Sequence, residues 1–221
     1  HMFPGNAQGT LSQRIAHQIT TKVIDQADYL IDLHSGDGNE ALRPYVYMPV
    51  TGDAGFDQKI KGLAVAFGLD HIVIDTGPQH ASGPSLFTDQ TALVRGIPAI
   101  TTETGQSGSN DPHWSGLATS GIWNVLRHLR MVPGAEVPNP GITWLTDYQV
   151  VKSPASGIFK PATKDGYTVT KGALLGVLVD FFGNEITQIR APFSGVINYV
   201  ISTPPVSKGE PVAMMSKIQG Q

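Results

Sequence analysis

The sequence predicts an α/β fold, with a mostly parallel sheet flanked by helices, followed by a smaller all-β region. Two observations predict it. Helical periods and short apolar segments alternate over the first 131 residues, and short β-rich segments punctuated by glycine replace them afterwards. Strands that alternate with helices form parallel sheets covered on both faces. In such sheets the functional side chains gather at the carboxyl ends of the strands.

The individual elements follow from local patterns. Apolar residues recur every fourth position from Leu11 to Ala27, which is the spacing of one helix face. A second helical pattern stops at Gly68, a residue type that often ends helices. The predicted elements are helices over 11–27, 56–67, 85–94 and 114–131, and strands over 29–33, 71–75 and 97–102.

A Pro- and Gly-rich stretch after Met131 predicts a domain boundary, because such a stretch cannot continue a helix. We expect residues 1–2 to be a cloning remnant, 3–132 an α/β domain that carries the functional site, 133–146 a linker and 147–221 a β module.

The β module contains an internal repeat. Residues 153–158 match 191–196, and 169–172 match 206–209. The repeat resembles the two halves of a biotinyl/lipoyl-type barrel-sandwich hybrid. In carriers of that type a modified lysine lies between the halves, and no lysine lies between Lys171 and Lys208. A structural role, or a wall beside the site, is therefore favoured over a swinging-arm carrier.

Composition excludes several classes of function. The net charge of -3 and pI near 6.1 argue against nucleic acid or an anionic membrane surface as partner. The chain has no cysteine, so only His, Asp and Glu remain as plausible zinc ligands. No signal peptide or long apolar span is visible in the sequence, which makes the cytoplasm the expected location.

Two strand ends carry candidate functional residues. Asp32 and His34 share a face of the first strand, so the carboxylate can orient the imidazole. Glu103 closes the apolar segment before Gly105, and partial burial there raises the pKa of a carboxyl group, as a general base requires. The alternatives are a hydrogen-bonded histidine at a strand end and a surface or helix-capping acid.

These residues carry a family resemblance. Asp32-Leu33-His34, the Gly-Ile-Pro-Ala-Ile-Thr-Thr-Glu-Thr-Gly segment that contains Glu103, the leading Phe-Pro-Gly and the trailing β module together resemble the succinylglutamate desuccinylase/aspartoacylase family of zinc-carboxypeptidase-like deacylases. The resemblance implies a zinc ion held by a His-x-x-Glu pair and a later histidine, here His34, with Glu103 activating water. Arg43 and Arg95 are candidates to bind a substrate carboxylate, or are solvated surface arginines.

The chain departs from the family pattern in its metal ligands. None of its seven histidines is followed three residues later by glutamate. The resemblance places that pair upstream of Phe-Pro-Gly, where this sequence starts. We therefore expect a chain truncated at its N-terminus that binds zinc weakly and is inactive by itself.

The function predicted for the complete protein is zinc-dependent hydrolysis of N-acyl amino acids or similar small amides. Two alternatives stay open, namely a related zinc metallopeptidase and a non-catalytic binding module. A homo-oligomer is the general expectation for an enzyme of this size.

Overall fold

A computed structural model describes residues 2–77, 87–137, 139 and 141–220. The helices are α1 (Leu11–Lys22), α2 (Ala54–Phe67), α3 (Thr88–Leu93) and α4 (Pro112–His128), and one turn of 3-10 helix spans Ile24–Gln26. The strands are β1 (Leu30–His34), β2 (Glu40–Leu42), β3 (Tyr45–Pro49), β4 (His71–Asp75), β5 (Ala99–Glu103), β6 (Thr143–Lys152), β7 (Gly157–Pro161), β8 (Thr168–Val169), β9 (Leu174–Val179), β10 (Glu185–Arg190), β11 (Gly195–Ile201), β12 (Pro205–Val206) and β13 (Pro211–Ile218). Within these ranges, every helix is too short or too polar to cross a membrane.

The largest sheet has nine strands and is largely parallel at its centre. Its order is β1-β5-β3-β4-β6-β13-β11-β2, and β8 pairs with β11 at the side. Pairs β1/β5, β3/β4 and β4/β6 are parallel, whereas β3/β5 is antiparallel. The predicted mixed α/β fold with a largely parallel central sheet is therefore confirmed. β3/β5 is an antiparallel pair inside that centre, and the pairs β6/β13, β13/β11, β11/β2 and β8/β11 beyond it are also antiparallel.

Local sequence signals explain where the helices begin and end. Thr10 accepts the amide of Gln13, whose side chain accepts the amide of Thr10, so a capping box starts α1. Asp53 caps α2, and Gly68, with φ of 91°, ends it as predicted. The part of the third predicted helix before residue 87 lies outside the described residues.

The main core lies between the helices and the sheet. Ile60 and Leu63 of α2 are fully buried there against Ile72 and Ile100 of the sheet. The apolar stripe of α1 is arranged differently: Ala16 and Thr20 are its buried residues, while the stripe residues Leu11, Ile15 and Ile19 are exposed.

The β-rich region continues the central sheet. Thr143, Trp144 and Leu145 of β6 pair with β4, which places the start of this strand inside the segment 133–146 predicted as a linker. Further along, β13 and β11 extend the same sheet to β2, so a strand from the first third of the chain completes it. The sheet therefore joins the two regions by backbone hydrogen bonds.

The internal repeat has a structural counterpart. Ser156 Oγ accepts the amide of Lys208 at 3.0 Å, and its repeat equivalent Ser194 accepts the amide of Lys171 at 2.9 Å. Each serine thus binds the turn of the other half of the repeat. A four-stranded sheet of order β10-β9-β7-β12 packs beside these turns over a core that contains Phe159, which is 1% exposed.

Candidate active site

The carboxyl ends of β1 and β5 lie side by side. His34 is paired with Glu103 in this parallel register, and Asp32 is paired with Thr101. Adjacent strands lie about 4.8 Å apart, and paired residues point to the same face of a sheet. The structure therefore brings together the two residues that the sequence placed at separate strand ends.

The imidazole of His34 is held by Asp32. Its Nε2 atom lies 3.1 Å from Asp32 Oδ2, and the His34 side chain is half exposed. This hydrogen bond raises the pKa of His34, although burial opposes the rise. Burial by itself would raise the pKa of Asp32, but the bond with His34 lowers it overall. With Nε2 engaged, Nδ1 is the ring nitrogen that remains to bind a metal ion or a proton.

The Glu103 side chain is partly buried, and one of its carboxylate oxygens is fully buried and unsatisfied within the described part of the chain. Among the described residues, its Oε2 atom has no hydrogen-bond partner. Burial raises the pKa of the Glu103 carboxyl to about 7, and the nearby His34 opposes this shift. The carboxylates of Glu40, Asp37 and Asp32 add to the rise. A carboxyl group with such a pKa can take up and release a proton near neutral pH.

The loops that follow the two strands approach each other closely. Thr104 N–H donates to the carbonyl of His34 at 3.0 Å, and Gly36 N–H donates to the carbonyl of Gly105 at 2.9 Å. A Cβ atom at Gly105 would lie 2.9 Å from Ser35 Cβ, so glycine permits this approach.

An open cleft of about 450 Å³ lies beside these loops. It is lined by Leu33, His34, Ser35, Thr104, Gly105, Ser109, Asn110, Asp111, Trp114 and Ser115. The imidazole of His34 is therefore accessible to a small molecule in the cleft.

Sequence reasoning missed β2 and β3, and with them several residues that surround Glu103. Tyr45 is paired with Glu103 across β3 and β5, and its hydroxyl lies 3.0 Å from that of Tyr47. Burial raises the pKa of both phenols, and the charge of Glu103 adds to the effect. The Tyr-Val-Tyr alternation was the available signal, since residues two apart share a strand face.

The two arginines are engaged elsewhere. Arg43 pairs with Asp70, which also accepts from His71 Nδ1 at 2.8 Å. Arg95 precedes β5, at the end opposite Glu103, and its Nε lies 2.5 Å from Asp25 Oδ1. Each guanidinium therefore has a carboxylate partner within the chain itself. Arg95 does not lie at the carboxyl ends of the strands, where His34 and Glu103 meet.

The described residues do not supply a complete zinc centre. Over the part of the chain that the structure describes, no group of three His, Asp or Glu side chains could hold a metal ion. His34 can offer one nitrogen, whereas zinc sites require three or four protein ligands. The donors present in the described residues thus do not fit a bound zinc ion by themselves.

A partly buried acid and an oriented histidine, side by side at strand ends of a mixed α/β sheet, define an acid–base site of the kind that hydrolytic enzymes use. The model of the succinylglutamate desuccinylase/aspartoacylase catalytic domain matches residues 1–129. The chain belongs to this family.

Individual relatives agree with this assignment. The chain is 26% identical over 223 residues to the N-alpha-acetyl-L-2,4-diaminobutyric acid deacetylase of Halomonas elongata, a match that covers 98% of this chain and 64% of that protein. The chain thus spans slightly less than two thirds of this relative.

Solved structures share the fold. A succinylglutamate desuccinylase/aspartoacylase from Rhodobacter sphaeroides superposes with a TM-score of 0.87 at 23% identity, covering 100% of this chain and 67% of that one. The product-bound ectoine utilization protein EutE (DoeB) from Ruegeria pomeroyi superposes with a TM-score of 0.87 at 24% identity, covering 98% and 66%.

Proposed function

We propose that this chain supplies the general base and one metal ligand of a hydrolase that cleaves the amide bond of N-acyl amino acids. The observation that carries the proposal is the pairing of His34 with Glu103, whose Oε2 atom is buried and lacks a partner among the described residues. Family membership supports the reaction class, because the matched catalytic domain is named for desuccinylase and aspartoacylase enzymes.

Glu103 has the properties that the base of this reaction needs. In the proposed reaction, the oxygen of a water molecule bonds to the acyl carbon while one water proton passes to the Glu103 carboxylate. The C–N bond then breaks, and the same proton passes to the leaving nitrogen, which gives a carboxylic acid and a free amine. The acid then releases its remaining proton to solvent and becomes a carboxylate. A base with a pKa near 7 can perform both transfers at neutral pH.

Zinc is the cofactor we propose for the complete site. A bound zinc ion would act as a Lewis acid toward the amide carbonyl and the water. In this chain His34 would offer its Nδ1 atom, while Asp32 fixes the ring through Nε2. Because the described residues lack two further ligands, we expect zinc binding by the 221-residue chain to be weak and hydrolysis to be negligible.

The Halomonas relative supports the choice of substrate. Its name specifies an N-acetylated diamino acid as its substrate. We therefore propose small N-acyl amino acids as the substrate class, with N-acetyl-2,4-diaminobutyrate as the first compound to test.

We also infer that the C-terminal β region is a biotinyl/lipoyl-like module without a carrier function. The reciprocal bonds of Ser156 to Lys208 and of Ser194 to Lys171 support two equivalent halves. The hairpin between the halves holds Asp180, Phe181 and Phe182 where carriers have their lysine.

Zinc analysis tests the metal part of this proposal. Elemental analysis of the 221-residue chain after dialysis in metal-free buffer should give far less than one zinc per chain. A stoichiometry near one would show that other residues of the chain complete the site, and would overturn the expected weak binding.

The reaction is tested in a longer protein. We define the extended chain as this chain lengthened at its amino end by an upstream segment of a relative that bears a His-x-x-Glu pair. Loaded with zinc, it should release acetate from N-acetyl-2,4-diaminobutyrate. Cleavage only of longer peptides would favour a metallopeptidase, and binding without cleavage would favour a non-catalytic module.

A further inference from the structure

Strand β2 is held on both of its edges by distant parts of the chain. On one edge it pairs with β11, where Leu42 lies opposite Tyr199. On the other edge, Leu42 N–H donates to Gln106 Oε1 at 3.0 Å. β2 therefore lies between a strand of the C-terminal region and the loop that follows Glu103.

A second contact joins β2 to the same loop. Ser107 N–H donates to the carbonyl of Glu40 at 2.8 Å, and Ser107 Oγ donates to the same oxygen at 3.2 Å. Ser107 has φ of 52°, a conformation that residues other than glycine seldom adopt. The contact with Glu40 compensates for this conformation, so the loop and β2 depend on each other for their positions.

The Gln106 side chain satisfies a donor that has no access to water. Leu42 is 1% exposed, and the amide of the next residue, Arg43, donates to Asn198 of β11. Because successive amides of a strand point to opposite edges, the Leu42 amide points away from β11. A buried amide needs a partner, and here the partner is a side chain 64 residues away in the sequence.

The position of β2 affects the candidate active site because β2 is connected to the loops that follow His34 and Glu103. The chain runs from His34 into β2 through a loop in which Gly36 donates to Gly105 at 2.9 Å. Gln106 follows Gly105 directly, three residues after Glu103. A displacement of β2 would therefore be transmitted to the loops after both strand ends.

We propose that Gln106 is a positioning residue of the candidate active site, whose side-chain amide fixes β2 between the loop after Glu103 and strand β11. In this way the C-terminal β region contributes to the geometry of the site without contributing a reacting group. The role in hydrolysis rests on the proposed function above, whereas the role in fixing β2 does not.

Amide hydrogen exchange of the 221-residue chain tests the fixing of β2. Gln106→Met keeps the length of the side chain but removes its oxygen acceptor, and Gln106→Glu keeps an acceptor oxygen. Ser156→Ala is the matched control, because it removes an acceptor of a distant backbone amide, that of Lys208. Folding of each variant is checked by circular dichroism.

In Gln106→Met, the amides of Leu42, Gly36 and Ser107 should exchange about tenfold faster, since each depends on this junction. The Lys171 amide should keep its rate, and Gln106→Glu should restore protection of Leu42. In Ser156→Ala, Leu42 should exchange as in the unchanged protein. The proposal would be overturned by any of three results. Only the Leu42 amide exchanges faster, or none of the three amides does, or all amides including that of Lys171 do.

Kinetics of the extended chain test the positioning role. Gln106→Met should lower kcat about tenfold with KM changed by less than about threefold, because misplaced catalytic groups reduce the rate more than binding. Unchanged kcat together with fast Leu42 exchange would reduce Gln106 to a structural residue. If the unsubstituted extended chain hydrolyses no N-acyl amino acid, the proposed function fails and the catalytic part of this proposal fails with it, while the exchange data still decide whether Gln106 fixes β2.

Discussion

Glu103 and Asp180 are two acids at the ends of strands, in opposite surroundings. Glu103 closes β5 with a buried oxygen that lacks a partner among the described residues, and burial raises its pKa to about 7. Asp180 follows β9 at the start of an exposed hairpin tip, where Asn184 and the amide of Phe182 hydrogen-bond its carboxylate and lower its pKa. The carboxyl group of Glu103 is thus suited to proton transfer, whereas that of Asp180 accepts the hydrogen bonds that stabilise a turn.

The difference shows which kind of acid marks a functional site. A solvent-exposed carboxylate that accepts hydrogen bonds from the backbone of its own turn stabilises that turn, and this structural role explains why the acid is present. A carboxyl oxygen that is buried without a hydrogen-bond partner destabilises the folded protein. Such groups are concentrated at functional sites, where the carboxyl group takes part in a reaction. The comparison therefore favours the strand ends of the central sheet over the hairpin as the place of chemistry.

The strongest test of this contrast removes each acid in turn. In the zinc-loaded extended chain, Glu103→Gln should lower kcat about 10²–10⁴-fold, because the amide cannot accept a proton from water. Asp180→Asn is the matched control and should leave kcat unchanged. Initial rates with N-acetyl-2,4-diaminobutyrate and zinc content should be measured for both. A Glu103→Gln enzyme that keeps its full rate would refute the assignment of the base.

The next test asks whether the two regions are energetically separate. Phe159 is 1% exposed in the core of the β region, so Phe159→Ala should lower the free energy of unfolding by about 3–5 kcal/mol. Because one sheet joins the regions through β6, β13, β11 and β2, we expect a single urea transition. Phe181→Ala, which alters a side chain that is 87% exposed, should change stability by less than about 0.5 kcal/mol. Two separate transitions would contradict the continuous sheet as the unit of stability.

Much of the central fold follows from local sequence. The caps at Asp53 and Gly68 and the apolar strand 71–75 are short-range signals, and the structure confirms α2 and β4. β2 was missed because it has three residues and its partner β11 lies more than 150 residues later. Pairing at such a distance leaves no periodic pattern in the sequence.

The candidate site could likewise be predicted only in part, because local patterns are visible in the sequence and distant pairings are not. His34 and Glu103 each close an apolar segment, and this local pattern indicated strand ends. Their adjacency depends on strand order, since β5 pairs with β1 although three strands and two helices of the described residues lie between them in the sequence. The ion pair of Arg95 with Asp25 joins residues 70 apart, so the sequence alone left Arg95 available for a substrate. The roles of these residues in catalysis remain predictions.

The dependence of stability on pH provides a smaller test of the same contrast. Glu103 has a higher pKa in the folded chain than the usual value of 4.5, so the folded state holds a proton that the unfolded state releases between pH 4.5 and about 7. This contribution is fully present below pH 4.5 and is lost as the pH rises through about 7. The loss should be on the order of 1–3 kcal/mol.

Urea denaturation at pH 5 and pH 8 measures this loss. The Glu103→Gln chain should lose less stability between the two values than the unchanged chain and should be the more stable of the two at pH 8. His34, whose pKa is also raised, contributes a loss of the same sign in both chains. An identical pH dependence of the two chains would mean that Glu103 ionises normally and that its burial is not functional.

The smallest expected effect concerns the hairpin acid. Asp180 accepts the amides of Phe182 and Asn184, both at 2.9 Å, so Asp180→Ala should speed the exchange of these two amides. Because folding lowers the pKa of Asp180, its contribution is present above the model-peptide pKa of about 3.9 and is lost as the pH falls through the folded value. The acceleration should therefore be seen at pH 6 and should shrink in more acidic buffer. Faster exchange of Thr104 in this variant would show that the hairpin influences the candidate site, and the contrast between the two acids would no longer separate structure from chemistry.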